Sequence, residues 1–312
     1  MDFVGRRRWF FLLSGIIIIA GIISILIPPG FHFGIEFTGG TVLNLTFEES
    51  VEQEPLETLL SSMGHKQAVI QRLGDKAYLI RTKSLENPVQ ENVPSERELI
   101  KEAIESQIGT VILEGAAVSP IVAKETVRNA IIAVLFASLA ILIYITIAFR
   151  LVPNSFRMGA TAILAAIHDV LVVVGMFSIL GKIVDIEINA MFITGILTVV
   201  GYSVHDTIVV FDRIRENTGR RISRDIVTTV NISIMETIGR SLTTSLTTLI
   251  VILSIFLLGG ATLHSLLLTL VIGIITGTYS SIFIASQLLV VWEQKQFFSG
   301  REKTMEDGSR RH

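Results

Sequence analysis

Six long apolar runs constrain the fold of this chain more than any other feature of its sequence. A helix needs about 20 consecutive apolar residues to cross the hydrocarbon core of a membrane, and each run approaches or exceeds that length. Only 17% of the 312 residues are charged, against about 25% in ordinary soluble domains. The sequence therefore predicts a polytopic membrane protein with helical spans at 9–27, 129–149, 158–180, 188–211, 241–258 and 266–292.

The first run has two interpretations, a cleaved signal peptide or a retained span. Arg6, Arg7 and Arg8 precede it, as basic residues do in signal peptides. However, the run is longer than the usual apolar region of about 7–15 residues, and Ile-Pro-Pro-Gly follows it in place of a small-residue cleavage site. We interpret it as a retained span.

The uneven distribution of lysine and arginine between the loops predicts the orientation of the spans. The short loops on one side carry only Lys182. Both chain termini lie on the other side, and the cations there are Arg6, Arg7, Arg8, Arg150, Arg157, Arg213, Arg215, Arg220, Arg221, Arg224, Lys295, Arg301, Lys303, Arg310 and Arg311. Both termini are therefore expected in the cytoplasm.

This orientation divides the chain into five parts. We expect a cytoplasmic N-terminus at 1–8, the first transmembrane helix at 9–27, an extracytoplasmic domain at 30–124, transmembrane helices two to six at 125–292 and a cytoplasmic tail at 293–312. The cations cluster at membrane ends and the net charge is −2. No basic domain face for nucleic acid is therefore predicted.

The segment 30–124 has the pattern of a small α+β domain. Strand-like and helical stretches follow one another in the order β-α-β-β-α-β, the signature of a ferredoxin-like fold. The second helical stretch begins at Ser95, with Glu98 three residues later, as in a capping box. The chain has no cysteine, so the domain is expected to hold by packing without disulfides. His65 has no partner evident from the sequence and is not predicted to be a ligand or a base.

Ionisable residues interrupt three of the spans, where a charge costs about 2.5–3.5 kcal/mol on insertion scales. They are His168 and Asp169 in the third span, His205 and Asp206 in the fourth, and Arg240 at the start of the fifth. The helical rise of about 1.5 Å per residue places Asp206 roughly 9 Å inside the cytoplasmic boundary. Arg240 lies at a similar depth and Asp169 lies near mid-membrane. We therefore expect Asp206 and Arg240 to meet, with Asp169 more than a turn deeper.

Polar residues continue along one face of the fifth span. They recur with Arg240 at positions i, i+3, i+4, i+7 and i+8, which predicts a hydroxyl-lined polar seam around the arginine. Its other members are Thr243, Thr244, Thr247 and Thr248. Threonine in membrane helices also serves to pack helices together, and this alternative stays open.

The ionisable groups also have structural interpretations. Arg240 would pair with Glu236 one turn away or extend to the membrane surface, and Asp206 would hydrogen bond to Ser203. Imidazole and carboxylate together bind divalent metals, but the different depths of the two His-Asp pairs argue against one shared ion. Neither a metal nor another cofactor is predicted. No nucleophile and base lie at matched depth, so the chain is not predicted to be an enzyme.

A carboxylate in such a setting is suited to carry protons. Burial raises the pKa of a carboxyl group and a nearby cation lowers it, so its protonation changes when the cation moves. One charge crossing about 100 mV supplies about 2.3 kcal/mol, which is enough to bias a two-state bundle. We predict a proton relay with Asp206 as the carrier and Arg240 as its counter-charge, and with His205 and Asp169 as further candidates.

Four motifs carry a resemblance to a known family. They are GIEFTGGT at 34–41, AAIHDVLVVVGMFS at 165–178, VVGYSVHDTIVVFDRIREN at 199–217 and ETIGRSLTTSLTTL at 236–249. With these motifs the chain resembles the SecF family, subunits of the bacterial SecDF protein translocase within the RND superfamily. Glu36 stands where the family usually has Asp, and His205 stands where it commonly has Asn.

The resemblance implies a fold, a location and partners. The fold would be an RND-type half of six transmembrane helices with a small outer domain, in the bacterial cytoplasmic (inner) membrane. The function would be to use the proton motive force to promote export of pre-proteins as unfolded polypeptides. A SecD partner would supply a second six-span half, and SecYEG would be the channel. Asp206 and Arg240 would occupy the family's proton-path positions, with Asp169 as an addition.

Two rival functions would use the same polar seam. An RND-type transporter of lipid or small molecules requires a deep apolar pocket in its outer domain, for which 30–124 is short. A passive assembly subunit would use Asp206 only for structural contacts and would work normally with asparagine there.

Overall fold

The computed structural model describes residues 2–66, 68–85, 94–148, 155–258 and 263–294. Within these ranges, six helices are long and apolar enough to cross a membrane, which confirms the predicted number of spans. Elements are numbered in chain order. The membrane helices are α1 (Arg7–Leu26), α5 (Pro120–Ala148), α6 (Ser155–Val184), α7 (Ala190–Gly219), α8 (Ile226–Leu258) and α9 (His264–Ser280), which continues through a π-helical turn at Ser281–Ala285 into a span that reaches Gln294.

Several membrane helices are longer than the apolar runs that predict them. α7 continues past 211 to Gly219, and α8 begins at Ile226 instead of 241. An apolar run marks only the uniformly hydrophobic part of a helix, whereas backbone hydrogen bonding continues through polar residues. Asp206 therefore lies inside one continuous helix that also carries the charged residues after it. Arg150 and almost all of the predicted tail at 293–312 lie outside the described residues.

Residues 33–131 form a compact unit of their own, and the described residues on either side of them form a second unit. The first unit begins with the short helix α2 and then alternates strands and helices in the predicted order. Its elements are α2 (Ile35–Thr38), β1 (Gly40–Phe47), α3 (Gln53–Ser62), β2 (Val69–Arg72), β3 (Ala77–Thr82), α4 (Glu96–Gln107) and β4 (Val111–Val118).

The four strands form one antiparallel sheet in the order β2-β3-β1-β4. The last strand pairs with the first, and β3 lies between β1 and β2, as in a ferredoxin-like domain. This confirms the predicted fold class. The core of the unit is formed by side chains of the sheet with those of α3 and α4; its fully buried members include Leu43, Leu45, Leu56, Leu60, Tyr78, Ile80, Ile100 and Ile104.

The sequence shows no partner for His65, but the structure gives it two. Its ring is buried, with Nδ1 2.9 Å from Oγ1 of Thr82 and Nε2 3.1 Å from Oε1 of Glu96. Thr82 ends β3 and Glu96 begins α4, so the histidine links the end of a strand to the start of a helix.

The paired glycines of the sequence Thr-Gly-Gly begin β1 in backbone conformations that L side chains rarely adopt. Gly39 has φ of 72° and Gly40 has φ of 129°. A Cβ atom on Gly40 would lie 2.6 Å from the carbonyl oxygen of Thr82, and one on Gly39 would lie 3.1 Å from Cα of Pro120. Both positions therefore require glycine, to let the backbone of β1 approach its neighbours.

Helices α1 and α6 cross at a contact between two glycines. A Cβ atom on Gly21 would lie 2.8 Å from Cα of Gly175, and the reverse distance is the same. One turn further, the hydroxyl oxygens of Ser24 and Ser178 are 2.9 Å apart. Small residues allow helix backbones in membranes to approach closely. This contact therefore fixes the spacing of α1 and α6.

Gly175→Val should destabilise the helix bundle by about 1–3 kcal/mol, because the added side chain forces α1 away from α6. Thermal unfolding of the protein in detergent would measure the loss. Gly15→Val is the matched control, since a Cβ atom there has nothing within 4 Å. Equal effects of the two changes would contradict the role of the glycine contact.

The predicted capping box at the start of α4 is present. The Ser95 hydroxyl accepts from the backbone N–H of Glu98, and the Glu98 carboxylate accepts from the backbone N–H of Ser95 at 2.8 Å. The backbone N–H of Ser95 is the main cause that lowers the pKa of Glu98 below its usual 4.5, and the Ser95 side chain lowers it further. The stabilisation is thus complete above pH 4.5 and is lost as the pH falls through the lowered value.

Hydrogen exchange can test this pH dependence. Protection factors of the first amides of α4 should fall as the pH drops below 4.5. Glu98→Gln should keep the reciprocal bond, because glutamine also forms capping boxes, while removing the titration. A protection factor that falls with pH equally in the glutamine variant would contradict the assignment to Glu98.

Candidate functional site

Asp169 is the most completely enclosed ionisable group among the candidates. It lies on α6 with no exposed surface. Ser203 on α7 and Ser280 on α9 donate to its Oδ2 at 2.5 Å and 2.6 Å, and Nδ1 of His168 lies 2.9 Å from its Oδ1. A carboxylate taken out of water needs such partners to offset the loss of hydration. Asp169 therefore joins three helices at a single buried point.

Asp206 occupies a different environment on α7. It is 7% exposed, and the hydroxyl of Ser281 donates to its Oδ2 at 2.8 Å. The suggested bond between Asp206 and Ser203 is wrong, because the Ser203 hydroxyl donates to Asp169. The two carboxylates thus accept from consecutive serines of the last membrane helix.

A cavity of about 280 Å³ lies beside Asp206, between α7 and α8. Asp206 and Arg240 both line it, so the two residues share a cavity, but they do not form the direct contact expected from their depths. Arg240 makes no ion pair with any residue that the structure describes. The cavity is lined by Tyr202, His205, Asp206, Val209, Arg240, Ser241 and Thr244.

Hydrogen bonds between α7 and α8 lie on either side of the cavity along the two helices. On one side Glu236 accepts from Nε of Arg213 and from Nδ2 of Asn217, each at 2.7 Å. Glu236 is therefore engaged by α7, and the suggested pair of Arg240 with Glu236 is wrong. On the other side the Tyr202 hydroxyl donates to Oγ of Ser245 at 3.3 Å.

The predicted polar seam of α8 is divided by its hydrogen bonds. Thr244 lines the cavity with Arg240. The hydroxyls of Thr243, Thr247 and Thr248 donate to backbone carbonyls of α8 itself at 2.8–3.0 Å. These three threonines form hydrogen bonds within their own helix, and of the four threonines only Thr244 lines the cavity beside Asp206.

Serines of the last membrane helix are the functional candidates that the sequence interpretation missed. Ser280 and Ser281 lie in the predicted apolar span at 266–292, which contains no charged residue to mark them. The available signal is the stretch Thr-Gly-Thr-Tyr-Ser-Ser at 276–281, where small and hydroxylated residues replace large aliphatic ones. Both serines are fully buried. Among the described residues, no group of three or more His, Cys, Asp or Glu side chains is placed to hold a metal ion.

Comparison with known proteins identifies the family of this bundle. The model of the SecD/SecF GG motif matches residues 24–51, and that of the C-terminal region of the protein export membrane proteins SecD/SecF matches residues 100–295. The chain belongs to the SecD/SecF family. This membership assigns it to the subunits of a protein translocase, which is a transport role.

Whole-length relatives agree with this assignment. The chain is 45% identical to protein translocase subunit SecF of Thermobaculum terrenum, over 95% of each protein. It is 38% identical to SecF of Anaerolinea thermophila, over 95% of this chain and 96% of the relative. Identity to the subunit SecDF of Bacillus subtilis is 32%, and there the match covers only 38% of the relative.

A solved structure shares the whole architecture. The crystal structure of SecDF from Thermus thermophilus, described as a translocon-associated membrane protein, matches with a TM-score of 0.78 and 36% identity. The match covers 94% of this chain and 39% of the SecDF chain. The chain thus spans about two fifths of these longer relatives.

Replacing Asp169 should be costly, because its donors would lose their acceptor. Asp169→Ala should lower the free energy of unfolding by about 1–3 kcal/mol or more, the usual penalty for buried polar groups left unsatisfied. Asp169→Asn should cost less, since an amide oxygen still accepts. Thermal unfolding in detergent would measure both. The control Asp212→Ala, at an exposed carboxylate of α7, should change the stability by less than about 0.5 kcal/mol; a similar loss there would contradict this interpretation.

Proposed function

We propose that the chain is a SecF-type subunit that couples inward proton flow to the export of pre-proteins, with Asp206 as the proton carrier and Arg240 as its counter-charge. The observation that carries this proposal is the cavity that Asp206 and Arg240 share between α7 and α8. Asp206 is buried there and Arg240 lies on the exposed side. Family membership supplies the transport role. The role of each residue is our inference.

The energies involved are of comparable size. Two unit charges more than about 4 Å apart, as those of Asp206 and Arg240 are here, attract by less than about 4 kcal/mol at an effective dielectric constant of about 20. One proton moving through about 100 mV supplies about 2.3 kcal/mol. Protonation of Asp206 removes the attraction between α7 and α8 at the cavity, and deprotonation restores it. The energy that a proton gradient supplies is therefore of the same order as the attraction that it would switch.

Asp169 and His205 take different parts in the proposal. His205 lines the cavity and can exchange protons with Asp206 through water there. Asp169 has three side-chain partners on three helices, which hold it in place. We assign Asp169 to the relay as the group that positions the helices around the site, and Asp206 as the group that binds and releases the proton. Of the hydroxyl groups of α8, those of Ser241 and Thr244 line the cavity with Arg240.

The partner in this proposal is a SecD-type half. The longer relatives named SecDF contain a region like this chain within a protein of which it forms 38–39%. Transporters commonly couple their ions at the interface between two such repeats. Within this chain, only 6% and 11% of the residues in the apolar stretches of α5 and α8 are buried, against 61% for the last membrane helix. The exposed α8 carries Arg240, so we place the second half against it.

The location and the remaining partners follow from the same role. We propose that the protein lies in the bacterial inner membrane with both termini in the cytoplasm, and that residues 30–124 form the outer domain. There the exported polypeptide would emerge from the SecYEG channel. The outer unit has a cavity of about 500 Å³, lined by Lys66, Arg81 and Lys83 and also by the apolar Phe33, Ile35 and Val69. This mixed lining is not the deep apolar pocket that the rival transporter requires.

Export by reconstituted vesicles tests the proposal. In vesicles that contain the complete translocase and carry a proton gradient, Asp206→Asn and Arg240→Ala should each abolish gradient-dependent export, because either change removes the switch. The complex should still assemble, as measured by co-purification with the partner half.

The matched control is Asp212→Asn, the same chemical change six residues further along α7, at a half-exposed carboxylate that pairs with Arg215. It should leave export unchanged. Normal export by Asp206→Asn would remove the relay assignment and would favour a passive assembly role.

A further inference from the structure

Two consecutive serines connect the last membrane helix to both buried carboxylates. The hydroxyl of Ser280 donates to Asp169 at 2.6 Å, and that of Ser281 donates to Asp206 at 2.8 Å. Successive residues of a helix point about 100° apart, so adjacent hydroxyls reach two different neighbours, α6 and α7. One helix therefore holds both acidic groups in place.

Each serine hydroxyl also has a second acceptor on its own helix. Oγ of Ser281 lies 3.1 Å from the carbonyl oxygen of Thr278, and Oγ of Ser280 lies 3.2 Å from that of Gly277. A hydroxyl has one proton to donate and lone pairs with which to accept. It can therefore donate to the carboxylate, or turn to the backbone carbonyl and accept a hydrogen bond instead.

The local helix geometry fixes the position of Ser281. A π-helical turn begins at this residue and ends at Ala285. The hydroxyl of Ser286 donates to the carbonyl oxygen of Ser281 at 2.9 Å, which satisfies an acceptor inside the turn. Single π turns within α-helices are rare and occur frequently at functional sites. The turn therefore holds Ser281 in the direction of Asp206.

We infer that Ser281 is a positioning residue that satisfies Asp206 in both of its protonation states. When Asp206 is ionised, Ser281 donates to it. When Asp206 binds a proton, the acid O–H donates to Oγ of Ser281, and Ser281 turns its own proton to the carbonyl oxygen of Thr278. The serine keeps its proton throughout, and only Asp206 gains or loses one. This inference rests on the proposed function, in which Asp206 titrates.

The two states do not benefit equally from the serine. A hydrogen bond to an ionised acceptor is roughly twice as strong as a neutral one, so Ser281 favours the ionised form overall. The other charged or titratable groups at the cavity beside Asp206 are Tyr202, His205 and Arg240. Asp169, with His168, lies on α6 and is bonded to the adjacent Ser280. None of these is altered by a change at Ser281. Removing its hydroxyl should therefore shift proton binding at Asp206 toward higher pH.

Infrared spectroscopy of the complex with its partner half tests this inference without measuring export. The protonated carboxyl band of Asp206 is identified by its loss in Asp206→Asn, and its height is followed against pH. Ser281→Ala should raise the midpoint by about one pH unit, a tenfold change in the protonation equilibrium. Ser281→Thr, which keeps the hydroxyl, should restore the original midpoint.

The matched control is Thr276→Val, on the same helix one turn earlier. The hydroxyl of Thr276 donates to the carbonyl oxygen of Ile272, so its loss should not move the midpoint. An unchanged midpoint in Ser281→Ala would overturn the inference, and an equal shift in Thr276→Val would do the same. If no band that titrates between about pH 4 and pH 9 is lost in Asp206→Asn, the proposed function itself fails.

Discussion

The hydrogen bonds to Asp169 are the interaction on which the rest of the bundle depends. A fully enclosed carboxylate is tolerated only when its oxygens are satisfied, and here the donors come from α6, α7 and α9. These three helices also contain most of the buried membrane residues. The position of Asp169 consequently sets the relative positions of Ser203 and Ser280. Ser281 and Asp206 are then placed by their neighbours in sequence.

The two acidic groups illustrate how environment separates chemically identical side chains. Asp169 has three side-chain partners and no exposed surface, whereas Asp206 has Ser281 on one side and, on the other, a cavity that Ser241 also lines. Asp169 is therefore enclosed on every side, and Asp206 is open to a cavity. The bundle thus contains one enclosed and one accessible acidic group, both bonded to the last membrane helix.

Much of this arrangement can be predicted from the sequence, and the limits have physical causes. The succession of strands and helices along the outer unit and the capping box at Ser95 follow from local patterns, because they depend on residues near one another in the chain. Asp169, Asp206 and Arg240 are conspicuous because charges in apolar runs are expensive. Serines are not conspicuous, since a hydroxyl in a membrane helix usually bonds its own backbone. The π turn at Ser281 also has no pattern of its own, because it depends on packing against other helices.

The hydrogen bonds on either side of the cavity restrict how α7 and α8 can move. Glu236 holds α8 to Arg213 and Asn217 on one side, and Ser245 holds it to Tyr202 on the other. Two helices fastened at two points cannot swing apart like a hinge. A change of charge between those points would therefore bend or rotate a helix. Such a motion changes the direction of the helix ends while the distance between α7 and α8 stays the same.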